Sequence, residues 1–189
     1  MFRFIYWAGM LMQVIIRAPF AIRARSRAKT GQRVSRTENA LLGLLTLSSL
    51  ILPLIYSLTN WLAFADYTLP AWAGWAGVVI LIFSLLIFLR SHIDLEAGWS
   101  PSLELYQGHA LVTGGIYRHI RHPMYLSQLF WTIAQILLIQ NWIAGPAGLL
   151  GFIPFYFLRS RAEEKMMLEV FGDRYQEYQQ STGGILPRL

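Results

Sequence analysis

Apolar residues run along this chain in long uncharged blocks. Residues 40–64 contain no charged side chain, and residues 71–89 contain none either. About 20 apolar residues in a helix cross a bilayer, so both blocks read as transmembrane helices. Pro53 is expected to kink the first, which a membrane helix tolerates. The link at 65–70 is short and carries only Asp66, which makes the two blocks an antiparallel hairpin. Near the N-terminus an apolar run at 4–16 is bounded by Arg3 and Arg17; extended to Ile22, with the Arg17 side chain snorkelling, it too can span. A signal peptide is the rival reading, disfavoured by the basic sequence that follows and the lack of a small-residue cleavage site. The last apolar stretch, 125–158, is too long for one span and is interrupted at Gln140-Asn141. It reads as two short helices, 123–139 and 142–158, joined by a tight turn.

The charged residues orient these spans. Seven of the sixteen Lys and Arg residues lie between Arg17 and Arg36, against Glu38; three more fall in 90–121 and five in the tail from Arg159. Asp66 and the Gln140-Asn141 turn have no Lys or Arg beside them. By the positive-inside rule this gives five spans, with the N-terminus outside and the C-terminus in the cytoplasm. The net charge of +6 therefore points to anionic lipid headgroups at residues 17–36 rather than to nucleic acid.

Composition narrows the class further. The chain of 189 residues is 55% hydrophobic and only 14% charged, where a soluble domain averages about 25% charged. Its 11 Phe, 9 Tyr and 7 Trp exclude a disordered chain, and the absence of Cys excludes a disulfide framework, a Cys-ligated metal and a Cys nucleophile. The expectation is a single all-α, polytopic membrane domain. Residues 1–97 supply three spans and the basic loop; residues 98–189 supply a polar motif region, the helical hairpin and the tail. In that tail Ala162, Met166, Met167, Val170 and Phe171 recur at helical spacing, with a break expected at Gly172.

Chemistry-bearing residues concentrate at 108–125, which holds three of the four His together with Arg118, Arg121, Tyr117 and Tyr125. Pro123 suits the first position of a helix, whose N-terminus then offers an anion site. An interfacial belt of Arg, His and Tyr is the plainer reading. Arg159 and Glu163 are four apart on a helix and share a face, either as a surface ion pair or as a pair holding a zwitterionic ligand. Gln128 and Gln135 suit interhelical hydrogen bonds. His92, Asp94 and Glu96 have a spacing that could ligate metal, though a solvated loop fits them better. Gly114-Gly115 does not complete a GxGxxG pattern, and no Walker motif or Ser–His–Asp set is present.

Three blocks taken together carry a resemblance: Gly108-His109-Ala110-Leu111-Val112, then Gly115-Ile116-Tyr117, then Arg121-His122-Pro123-Met124-Tyr125. With the downstream Glu163-Glu164, Phe171-Gly172-Asp173-Arg174-Tyr175 and Tyr178, they resemble the isoprenylcysteine carboxyl methyltransferase family over about half the chain. The resemblance implies an integral membrane methyltransferase that uses S-adenosyl-L-methionine without a Rossmann fold. Its cofactor pocket would face the cytoplasm, closed by C-terminal segments, and a lipophilic substrate would enter from the bilayer. Carried over by position, the cofactor contacts are His109, Ala110, Leu111, Val112, Tyr117, His122, Pro123, Met124, Tyr125 and Glu163, and Arg159 is the substrate-side arginine. No metal is implied. The acceptor stays open between an isoprenylcysteine-like carboxylate, a phospholipid amine and a small thiol. A non-catalytic, lipid-binding membrane scaffold is the alternative of another class.

Overall fold

The computed structural model describes residues 1–25, 29–32, 36–95, 104–106 and 110–188. Helix α1 runs Phe2–Arg25, α2 Arg36–Thr46 and α3 Leu52–Leu58, the last two joined by a π-helical turn, Leu47–Ile51. Helix α4 spans Ala71–Leu95, α5 Pro123–Ile139, α6 Ala144–Phe171 and α7 Asp173–Ser181. The all-α expectation needs one amendment: strands β1 (Lys29–Gln32) and β2 (Glu104–Tyr106) pair antiparallel, joining two polar connections that lie far apart in sequence.

Three helical stretches, Phe2–Ala24, Arg36–Leu58 and Ala71–Leu95, are long and apolar enough to cross a membrane. Helix α5 has 17 residues, about 25 Å at 1.5 Å per residue, slightly under a typical hydrocarbon core. Their outward faces leave Leu11, Val14, Val79, Phe83 and Leu86 exposed, which is costly in water and ordinary against lipid.

Several helix limits differ from those read in the sequence. The block expected at 40–64 starts earlier, at Arg36, and ends at Leu58. The perturbation expected at Pro53 is the π turn just before it, closed by Leu52 N–H donating to Leu47 O. The cause is chemical. Proline has no N–H, so the carbonyls four and five residues upstream, Ser49 and Ser48, lose their helical donor. Both are recovered by other helices: the Tyr6 hydroxyl of α1 donates to Ser49 O (2.5 Å), and Gln135 Nε2 of α5 donates to Ser48 O (3.0 Å). Gln135 also donates to Ala144 O at 2.7 Å. It is the interhelical glutamine expected from its position. Gly148 of α6 is what lets this amide in, since a Cβ there would lie 2.4 Å from Gln135 Oε1.

Helices α4 and α5 are clasped by a reciprocal serine pair: Ser84 Oγ donates to Ser127 O (2.8 Å) and Ser127 Oγ to Ser84 O (2.9 Å). Small residues and such bonds, rather than apolar burial, are what hold helices together in lipid. At one end of the bundle the turn between α5 and α6 has Gln140 in the left-handed region (φ 36°). Asn141 closes it, donating to Leu62 O (2.7 Å) and Asp66 Oδ1 (2.8 Å) and accepting from the N–H groups of Ile143 and Ala144. The two regions read as lying on the same membrane side thus touch. Exposed Trp61, Phe64, Trp72 and Trp142 ring this end, the composition of a headgroup-level aromatic belt.

The chain expected as a span at 142–158 plus a separate tail helix is the single helix α6, which carries its apolar half straight into Arg159 and beyond. Gly172 ends it, as expected. Of the apolar face expected in the tail Met166 is buried, Met167 and Phe171 are half-buried, and Ala162 and Val170 are exposed; Tyr175 and Tyr178, expected to continue that face, are buried in α7.

Candidate functional site

The polar extension of α6 leans on the segment that leads into α5, and the two build one charged cluster opposite the tryptophan-ringed end. Gly115–Arg118 forms a short 3-10 turn and His122 precedes Pro123, the first residue of α5. The turn is fixed from α4: Asp94 Oδ2 accepts from Ile116 N–H (2.7 Å) and from Arg90 Nε (2.9 Å). Gly115 has φ +59°, and a Cβ there would fall 2.2 Å from Asp94 Oδ2, so both the turn and the approach of the carboxylate require glycine. Asp94 is therefore not a solvated loop residue but the anchor of this turn, and the His92 ring packs on Phe20 and Phe88. Glu96 lies outside the described residues.

Tyr125 stands at the centre of the cluster. Its hydroxyl accepts from Arg159 Nε (3.1 Å) and donates to Glu163 Oε2 (2.8 Å). The expected direct Arg159–Glu163 pair is therefore replaced by a relay through tyrosine. The partner of Arg159 is Glu38 from the first turn of α2, with Nη1 donating to Oε1 at 2.7 Å; side-chain exposures are 11% and 4%. The guanidinium also lies over the Phe155 ring, 5.5 Å from its centroid. The guanidinium is thus half-buried and engaged by a hydroxyl, a carboxylate and a ring face rather than by solvent.

Glu164, the next residue, faces elsewhere. Its Oε1 accepts from Arg121 Nη2 (2.9 Å) and lies 2.9 Å from His122 Nε2. The His122 hydrogen bond and the Arg121 guanidinium hold its carboxyl down at about 2. Arg121 then fastens the C-terminal tail: Nη1 donates to the carbonyls of Gln179 and Thr182, while Arg121 N–H and His122 N–H donate to Gly183 O (2.8 Å) and Gly184 O (3.0 Å). From α7, Tyr178 donates its hydroxyl to Tyr117 O (2.5 Å), and burial pushes the Tyr178 phenol up to about 12. The tail thus folds back over the entrance to α5.

Of the residues expected in the site, the structure gathers His122, Pro123, Tyr125, Glu163 and Arg159. His122 and Tyr125 have ring centroids 5.4 Å apart, and Met124 is half-buried beside them. Tyr117 is buried with its hydroxyl 3.4 Å from Ser91 O, so its ring is committed to packing between α4 and α7, and burial raises its pKa. Leu111 and Val112 are half-buried and Ala110 is exposed; His109 lies outside the described residues. Sequence reasoning missed Glu38, Arg121 and Glu164 as working parts. Glu38 did leave a signal, as the acid set against the run of seven basic residues. Among the described residues no group of three or more His, Asp or Glu side chains converges as a metal site.

Comparison with known proteins places this arrangement. The model of the Isoprenylcysteine carboxyl methyltransferase (ICMT) family matches residues 75–169, the stretch from α4 through Arg159 and Glu163. Protein-S-isoprenylcysteine O-methyltransferase of Tribolium castaneum is 31% identical over 144 residues, covering 70% of this chain and 50% of that protein. Methanethiol S-methyltransferase of Pseudomonas deceptionensis is 28% identical over 142 residues, covering 71% and 50%. The solved structure of a eukaryotic intramembrane Ras methyltransferase superposes with a TM-score of 0.52 at 20% identity, covering 96% of this chain and 62% of that one. The chain spans about half the length of the curated relatives it matches. With its long apolar helices it is an integral membrane protein, and it belongs to the isoprenylcysteine carboxyl methyltransferase family.

Proposed function

We propose that this protein transfers a methyl group from S-adenosyl-L-methionine to the carboxylate of a lipophilic, isoprenylcysteine-like acceptor that reaches it from the bilayer. The observation that carries the reading is the Arg159–Tyr125–Glu163 relay, a buried guanidinium and a carboxylate linked through one hydroxyl at the polar end of the helices. The residues present fit the cofactor. Glu163 is half-buried, with one oxygen on Tyr125 and the other available to an amino group or ribose hydroxyl. Tyr125 and His122 offer aromatic faces to a purine or a cation. The remaining contacts proposed by resemblance are Leu111, Val112, Ala110, His109, Tyr117, Pro123 and Met124. When bound, S-adenosyl-L-methionine supplies the methyl group as a good electrophile.

The chain's own work is positional. Arg159 holds the acceptor carboxylate, Tyr125 fixes the guanidinium plane, and the tail held by Arg121 excludes water from the reacting groups. A carboxylate is nucleophilic at neutral pH, so no general base is needed. A second reading, a small-thiol acceptor, is favoured by one observation: Glu38 already neutralises Arg159. Purified protein given radiolabelled methyl donor should label an S-prenylcysteine acid and leave its methyl ester unlabelled. Labelling of a thiol with none of the acid would reverse the choice.

The topology that goes with this function has five spans, the N-terminus outside, and the charged cluster and C-terminus in the cytoplasm, with residues 17–36 against anionic headgroups and no role for nucleic acid. The chain has no native Cys, so single cysteines report cleanly. Cysteines at Ser26 and Ser181 should label only from the cytoplasmic side, and one at Thr68 only from outside. Reversed labelling rejects the orientation.

A further inference from the structure

We propose that Glu38 is an exchangeable counter-ion of Arg159, displaced by the acceptor's carboxylate and restored when that carboxylate becomes an ester. The proposal rests on the acid-acceptor reading above and adds a selectivity-setting residue to it. Glu38 lies outside the stretch matched by the family model, which begins at residue 75.

The geometry of the guanidinium makes the case. A carboxylate grips arginine most firmly through a fork of two adjacent nitrogens. Nε is engaged by the Tyr125 hydroxyl at 3.1 Å and Nη1 by Glu38 at 2.7 Å. Nη2 pairs with Nε in one fork and with Nη1 in the other. Nε has a single N–H, which Tyr125 takes; Nη1 has two, of which Glu38 takes one, so an acceptor carboxylate on the Nη1–Nη2 edge shares Nη1 with Glu38.

Tyr125 is the firmer of the two. Its hydroxyl also donates to Glu163, and its ring packs edge-on against Phe155 with centroids 5.9 Å apart. Glu38 sits in the first turn of α2, where the N–H groups and dipole of the helix favour a carboxylate once it leaves the arginine. Arg17 of α1 lies within electrostatic reach of Arg159, but two carboxylates sharing Nη1 in a largely buried site would still repel each other, so exchange is favoured over addition.

The exchange gives the reaction a direction. The acid carries the charge that competes with Glu38. Methylation would form the ester O–CH3 bond as the donor's S–CH3 bond breaks, with the electron pair left on the sulfur of S-adenosylhomocysteine, and so remove the acceptor's charge. The neutral ester has no claim on Nη1, Glu38 returns to it, and the product is released.

The test compares an N-acetyl S-prenylcysteine with its own methyl ester, binding to detergent-solubilised full-length protein saturated with S-adenosylhomocysteine so that no turnover occurs. Packing changes move both ligands alike, whereas loss of the counter-ion moves only the acid. Glu38→Gln should raise the acid-to-ester affinity ratio about fivefold or more, with ester and cofactor affinities close to wild type. Glu38→Asp keeps the charge and should raise the ratio less. An unchanged or lowered ratio in Glu38→Gln overturns the exchange. A parallel loss of acid, ester and cofactor binding also overturns it, marking Glu38 as a structural support. Wild-type protein that binds cofactor yet methylates no prenylcysteine acid refutes the acceptor reading itself, before any variant is compared, and removes this proposal with it.

Discussion

Arg159→Lys loses about 2–4 kcal/mol of transition-state stabilisation toward a prenylcysteine acid, a fall of roughly 30- to 1000-fold in kcat/KM, while S-adenosyl-L-methionine affinity stays near wild type. The size follows from how many partners one side chain serves. The guanidinium meets Tyr125 through Nε and Glu38 through Nη1, lies on Phe155, and still presents Nη2. An ammonium is a single point charge on a flexible stem. It cannot keep the Tyr125 hydroxyl and, in the same fixed plane, exchange Glu38 for the acceptor's carboxylate. The cofactor should be little affected, because its carboxylate partner, Glu163, is held by Tyr125 rather than by Arg159. Methyl-transfer kinetics and cofactor titration on the same preparations separate the cases. Near-wild-type turnover by the lysine variant rejects Arg159 as the acceptor's anchor. Loss of cofactor binding with it moves Arg159 to the cofactor side.

How much of this was legible in the sequence depends on distance along the chain. The break at Gln140-Asn141, the start at Pro123 and the stop at Gly172 are local features with local causes, and each stands where the residues place it; the uncharged blocks are helical too, with ends shifted by several residues. The effect of Pro53 was half legible. A missing N–H guarantees orphaned carbonyls, but whether the helix bends or opens a π turn depends on Tyr6 and Gln135 arriving from other helices. Arg159 and Glu163 have the spacing of an i,i+4 pair, yet such a pair is worth only a few tenths of a kcal/mol. A tyrosine from α5 and a glutamate 121 residues away outcompete it. Glu38 amid basic residues has the pattern of a solvated counter-charge, and only the packing of α2 on α6 turns it inward. The strand pair of β1 and β2 joins residues about 75 apart, each in a segment too short for a strand period to register.

The adjacent glutamates, alike in sequence, should part company when each is removed. Glu163→Ala should weaken S-adenosyl-L-methionine binding by about 1.5–3 kcal/mol, the scale of a hydrogen bond to a charged group, and cost some stability as well, because it orphans the buried Tyr125 hydroxyl. Glu164→Gln should leave cofactor affinity within about threefold, because its carboxylate is consumed by Arg121 and His122. It should instead loosen the tail that Arg121 binds through Gln179 and Thr182, read as faster proteolysis near residue 180. The pH dependence identifies the same residue. Folding lowers the Glu164 carboxyl from an ordinary 4.5 to about 2, so the folded state binds its proton less readily than the unfolded chain. Its stabilising contribution is present in full above about 4.5, declines as pH falls through that window, and is gone below about 2. Glu164→Gln should therefore flatten the acid limb of stability against pH over that interval, measured by thermal unfolding in detergent. An acid limb as steep as wild type in Glu164→Gln, with cofactor affinity lost instead, would place the cofactor against Arg121 and the tail.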